Sequence, residues 1–129
     1  MNSSKSRRRL AKASLAALIV SLGLVFVPAA SALNFWGAIA VDPESGVTGT
    51  SFDFPTAKAA QRQAIAVCEV RGEGCKAAVW VTNGWAALVK KHSGLYVGGF
   101  GKTKHAAIAN ARKRAHESSS ALVRTVFSG

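Results

Sequence analysis

The chain has 129 residues, with 17 Lys and Arg against 6 Asp and Glu, a formal net charge of +11. That length holds one domain and excludes a two-domain enzyme, while 49% apolar and 18% charged residues exclude a disordered chain. Two cysteines are too few for a disulfide-dense miniprotein or a four-thiolate zinc site.

Residues 1–32 read as an export signal. A basic start (Lys5, Arg7, Arg8, Arg9, Lys12) precedes an uncharged apolar run over residues 13–27. Pro28 breaks that run, and Ala30-Ser31-Ala32 offers the small residues a signal peptidase accepts. The run falls short of the about 20 apolar residues that span a bilayer, so cleavage after Ala32 and no remaining membrane span are expected. Ser6-Arg7-Arg8-Arg9-Leu10-Ala11-Lys12 is also similar to a twin-arginine signal, with Leu10 where Phe is usual, and the export route stays open. The expected location is secreted. Residues 33–129 form the expected single domain, with twelve basic and six acidic side chains. Its charge is lopsided: residues 33–83 are near neutral, whereas residues 84–129 hold eight basic residues and one acidic one.

Within that domain two windows read alike, residues 35–83 and 84–128. Trp36-Gly37-Ala38-Ile39-Ala40-Val41 is echoed by Trp85-Ala86-Ala87-Leu88-Val89-Lys90, short apolar strands opened by Trp. Turn material follows each, Asp42-Pro43-Glu44-Ser45-Gly46 and His92-Ser93-Gly94, before a second hairpin strand. Thr56 and Thr103 suit helix N-caps, because a hydroxyl can accept a free first-turn amide. Helices are expected over residues 57–69 and 104–117. Ala60, Ala64 and Cys68 recur every fourth residue in one, and Ala107, Ala111 and Ala115 in the other, so each helix can lie close to a sheet. Closing strands are expected over residues 75–82 and 121–127. The expected fold class is α+β: a duplicated strand-strand-helix-strand unit, about six strands and two helices, one small domain with internal pseudo-two-fold symmetry. Strand order is not legible in this pattern.

The export signal, Trp36-Gly37-Ala38-Ile39-Ala40, the helix ending at Cys68, Gly74-Cys75, and Asn83-Gly84 before Ala86-Ala87-Leu88 together resemble a family of small secreted bacterial proteins, domain-of-unknown-function family 4189. The resemblance implies an exported, disulfide-bearing domain without an assigned activity. It also implies a second bridge between the position after Asn83-Gly84 and one near the C-terminus. These positions are Trp85 and Phe127 here, leaving an aromatic pair to pack in place of that bridge.

Cys68 ends the first expected helix and Cys75 opens the next strand. In an oxidising compartment two thiols this close form a structural disulfide, stabilising by roughly 2–3 kcal/mol through loop closure. A redox pair would be spaced by two residues, and a nucleophilic thiolate needs a basic partner that the sequence does not place.

The candidate binding residues all lie in the basic half. Lys102, Thr103 and Lys104 sit at a helix start, where free amides carry partial positive charge and can seat an anion. Arg112, Lys113 and Arg114 lie further along the same helix, whose outward side is also expected to hold His105 and His116. Gly98-Gly99-Phe100-Gly101-Lys102-Thr103 is not a nucleotide loop, because the required early glycine is Tyr96. The histidines form no ligand set: His105 and His116 stand about 16 Å apart along a helix, and His92 has no carboxylate near it in sequence. No catalytic residue, metal or cofactor is expected.

The expected function is non-enzymatic binding of an acidic protein, anionic lipid or wall polymer at or beyond the cell envelope, by a monomer. Nucleic acid is disfavoured, since the basic helix carries no aromatics. The alternatives are a structural or accessory envelope protein with incidental charge, and a small hydrolase whose site is assembled from distant residues.

Overall fold

The apolar run after Trp36 divides its side chains between two faces, as a strand with a period of two requires. Ala38 and Ala40 pack on a helix, while Ile39 and Val41 enter a separate cluster. The computed structural model describes residues 33–129, and the export signal expected over residues 1–32 lies outside them. The elements run β1 (Trp36–Val41), β2 (Thr48–Phe54), α1 (Ala57–Glu69), β3 (Lys76–Thr82), β4 (Gly84–Lys90), β5 (Tyr96–Gly101), α2 (Lys104–Arg114) and β6 (Ala121–Ser128). The expected six strands and two helices are present, in an α+β domain.

The strands form two antiparallel three-stranded sheets, in the orders β2-β1-β3 and β5-β4-β6. Ile39 and Val41 of β1, Val79 and Val81 of β3, Ala86 and Leu88 of β4 and Val126 of β6 form one core between the sheets. Each helix covers an outer face. Ala60, Ala64 and Cys68 of α1 pack on Ala38 and Ala40, and Ala107 and Ala111 of α2, with Ala115 just beyond it, pack on Ala87 and Val89. The result is four layers: helix, sheet, sheet, helix.

Small side chains make the outer layers close. A Cβ at Gly49 of β2 would lie 2.2 Å from the Ala64 carbonyl oxygen of α1, and one at Gly99 of β5 2.2 Å from the Ala111 nitrogen of α2. Both positions therefore admit only glycine. Both helices start as the sequence indicates: Thr56 Oγ1 accepts the Ala59 amide (3.1 Å), and Thr103 Oγ1 the Ala106 amide (3.0 Å).

The second helix is shorter than expected, ending at Arg114 rather than at residue 117. His116 adopts φ 52°, a left-handed conformation that ends the helix. It thereby leaves the outward helical face that the sequence pattern gave it. The expected strand starting at Cys75 starts one residue later, at Lys76.

Cys68 and Cys75 are bridged, with Cα atoms 6.0 Å apart. The bridge closes the loop leaving α1, and a disulfide-bonded domain of this size fits an extracellular, oxidising location. Asp42, only 6% exposed, fastens the same loop to the β1–β2 turn. Its carboxylate accepts the Ser45 hydroxyl (2.8 Å) and the amides of Glu44 (3.0 Å) and Glu73 (3.2 Å). These donors, the Ser45 hydroxyl first and the Glu44 amide next, lower the Asp42 pKa to about 2.

Candidate functional site

The six candidate binding residues are divided between the two ends of α2. Lys102, Thr103 and Lys104 stand at its start, all exposed. The Thr103 hydroxyl is already used in capping, and Lys104 Nζ lies over the Trp85 ring, 5.9 Å from its centroid. No acidic side chain occupies the first turn, so neither lysine is neutralised there.

Arg112, Lys113 and Arg114 stand in the last turn, about 12 Å or more along the axis from Lys104. Cations at this end complement the helix dipole. Arg112 is half-buried, and its Nε donates to the Ser120 carbonyl (3.1 Å), holding the loop that leads to β6. Lys113 and Arg114 are exposed, and neither has a carboxylate within salt-bridge distance among the described residues. The two clusters are thus distinct places, and Lys113 and Arg114 are the unengaged cations of the second.

Two aromatic residues that the sequence analysis did not single out lie beside that second cluster. Trp80 of β3, 43% exposed, and Phe100 of β5, 53% exposed, belong to edge strands of different sheets. With Val79 and Arg114 they line a cleft of about 220 Å³. Phe100 and Arg114 are shared with a second hollow of about 380 Å³, completed by Asn110 and Lys113. Asn110 Nδ2 donates to the Phe100 carbonyl (2.8 Å), tying α2 to this edge of the sheet. One signal in the sequence could have exposed Trp80: it falls between Val79 and Val81, both buried, so strand alternation turns it away from their core. Its meeting with Arg114, 34 residues on, has no local signature.

His92 gains a carboxylate that the sequence did not place near it. Its Nδ1 meets Glu117 Oε1, and the same oxygen accepts the His92 amide (2.9 Å). The His92 side chain is 75% exposed and Glu117 21%. The pair clamps the β4–β5 turn to the loop leaving α2. The His92 amide, followed by the side-chain bond to His92 and its charge, holds the Glu117 carboxyl below its ordinary range against an opposing effect of burial. Among the described residues, no three His, Cys, Asp or Glu side chains are grouped as a metal site would need.

The family profile described as Domain of unknown function (DUF4189) matches residues 36–126, from the first residue of β1 into β6. The chain belongs to this family. The DUF4189 fold seen here is also similar to a solved structure, "NMR structure of Rv1813c from Mycobacterium tuberculosis", at 26% identity and a TM-score of 0.54, over 78% of this chain and 80% of that one. No curated protein matches. The resemblance had implied a second bridge where this chain has Trp85 and Phe127. These residues are register partners on β4 and β6, and their rings pack at 5.3 Å between centroids, tilted by 46°. An aromatic contact therefore joins the two strands at that place.

Proposed function

We propose that this DUF4189 domain is an exported, non-catalytic binding module whose basic half captures an anionic or acidic partner at or beyond the cell envelope. In this reading residues 1–32 are a cleaved signal and the domain acts as a monomer. The two halves are copies of one strand-strand-helix-strand unit, a view supported by the matching strand orders, the outer placement of both helices and the equivalent threonine caps.

The observation that carries the proposal is the unengaged charge. Residues 84–129 hold eight basic side chains against Glu117 alone, and Glu117 is paired with His92. A charge that only maintained solubility would be mixed in sign over the surface. One observation favours the structural alternative, because Arg112 is used within the fold. The hydrolase alternative has the His92–Glu117 pair in its support, yet no Ser, Thr or Cys side chain is bonded to either side chain of that pair among the described residues; the Ser120 hydroxyl donates to the Glu117 backbone carbonyl.

The test is capture on an immobilised acidic polypeptide at low and high salt. The purified disulfide-bonded protein is compared with a variant carrying Lys102→Glu, Lys104→Glu, Lys113→Glu and Arg114→Glu. Retention should fall as salt shortens the screening length from about 10 Å at 0.1 M to about 3 Å at 1 M, and the variant should not be retained. Equal retention of both proteins would leave the accessory reading in its place.

A further inference from the structure

We infer that the seam between β3 and β5 is a docking cleft for an extended acidic peptide segment that carries one apolar side chain, inserted between Trp80 and Phe100 with flanking carboxylates on Arg114 and Lys113. This rests on the acidic-partner reading above and deepens it by naming the place and the partner's chemistry.

The seam exists because two edge strands from different sheets come together. A Cβ at Gly98 would lie 2.5 Å from the Val79 Cβ, so glycine there allows β5 to lie against β3. Trp80 and Phe100 then line one cleft of about 220 Å³, together with Ala78 and Val79. Single exposed aromatics are ordinary, Phe52 and Phe127 among them, but two brought to one cleft and bordered by a cation form the kind of patch that marks an interaction surface. Arg114 borders that cleft and, with Lys113, the adjoining hollow of about 380 Å³. No acidic residue lines either depression. Apolar and cationic character therefore meet at Phe100 and Arg114, and the complementary ligand joins an apolar group to negative charge.

The shape selects among ligands of that description. Aromatics that anchor a protein to a bilayer must project into the headgroup region, whereas these line a depression. A single-stranded nucleic acid requires a track of aromatics and cations along successive nucleotides, whereas here two aromatics and two cations surround one place. A cleft of about 220 Å³ suits a single side chain, and aromatic and Arg residues around a pocket are the usual composition of a binding hot spot. Asn110 occupies the Phe100 carbonyl, so recognition runs through side chains rather than by adding a strand along that part of β5.

The experiment is isothermal titration calorimetry of the disulfide-bonded protein with four probes. They are an Asp/Glu peptide with one central Phe, the same peptide with Ser at that place, oligothymidine, and phosphatidylglycerol vesicles. The Phe peptide should bind best. A Trp80→Ala/Phe100→Ala variant should bind it roughly tenfold more weakly or worse, and Lys113→Glu/Arg114→Glu should abolish binding. Lys102→Glu/Lys104→Glu, at the far end of α2, should weaken it far less than Lys113→Glu/Arg114→Glu does. Both aromatics are exposed, so the double variant should fold, which far-ultraviolet circular dichroism checks; single Trp80→Ala and Phe100→Ala variants serve if it does not. Equal binding of the Phe and Ser peptides, lost on charge reversal but untouched by the aromatic substitutions, would overturn the cleft and leave the acidic-partner reading standing. Tighter binding of oligothymidine or vesicles through the same residues would overturn the peptide. Binding of no probe would overturn both readings.

Discussion

In the N-terminal half, the loop leaving α1 is tied to the β1–β2 turn by Asp42, whose carboxylate accepts the Glu73 amide. In the C-terminal half the loop leaving α2 supplies the carboxylate, Glu117, and the β4–β5 turn supplies the amide, that of His92. In each case a loop leaving a helix is tied to a hairpin turn, with donor and acceptor exchanged. Around it the two halves diverge further. The first adds the Cys68–Cys75 bridge and buries its carboxylate. The second adds non-covalent bonds, Arg112 Nε on the Ser120 carbonyl and the Ser120 hydroxyl on the Glu117 carbonyl, and leaves its carboxylate partly open to solvent. A helix laid on a sheet by alanines needs its exit loop fastened, and the chemistry of the fastening can vary. The half fastened covalently is near neutral, whereas the half fastened by weaker bonds carries the unengaged cations.

The sharpest way to break the likeness between the halves is at Gly49 and Gly99. Each would place a new Cβ about 2.2 Å from helix backbone, which cannot swing aside as a flexible side chain would. Gly49→Ala and Gly99→Ala should each lower stability by about 3 kcal/mol, the upper end of the usual overpacking range, in urea denaturation followed by circular dichroism. A large loss in one variant and none in the other would show that only one helix is held against its sheet.

The strands that build this likeness were legible because Trp36 and Trp85 each open a short apolar run, and the helices because Thr caps precede alanines four residues apart. The end of α2 was misread because residues 115–117 are as helix-compatible as those before them; the helix stops at a left-handed His116, with the Glu117 amide bonded back to the Arg112 carbonyl, and the Glu117 carboxylate then meets His92, 25 residues away. The cleft at Trp80 and Phe100 is hidden in the sequence because it is non-local. Its aromatics sit on edge strands, and strand order decides which edges meet, a property that the local pattern does not carry. The basic cluster was visible as composition, but not its division between the two ends of a helix.

The next effect separates the halves. Cys68→Ser/Cys75→Ser reopens a short loop and should destabilise by roughly 2.5 kcal/mol in the chain-entropy account. Phe127→Ala removes an aromatic pair worth about 0.5–1.5 kcal/mol beyond its buried area, on a ring that is half exposed. The bridge variant should therefore unfold at the lower urea concentration, and dithiothreitol should destabilise the native protein but not that variant. Should Phe127→Ala prove the more damaging, the aromatic contact would be the stronger fastening, reversing the contrast drawn above.

The smallest difference lies in the response to acid. Both carboxyls are held below their ordinary values in the folded protein, so each contributes stability that is present above its unfolded pKa and lost as pH falls through its folded pKa. For Asp42 that window runs from the ordinary 3.8 down to about 2, with the Ser45 hydroxyl as the main cause. Glu117 begins to lose its contribution from a higher pH, because its ordinary value is 4.5. Thermal midpoints should therefore decline as pH falls from 7 to 2, with the loss from Glu117 beginning at the higher pH. Glu117→Gln should reduce that decline and lower the midpoint little at pH 7. Asp42→Asn should reduce the decline below pH 3.8, and should also lower the neutral midpoint more, because its amide group turns donors toward the buried donors that Asp42 satisfies. Equal neutral losses in the two variants would mean that burial of the carboxylate adds nothing, and that the two ties are equal in strength.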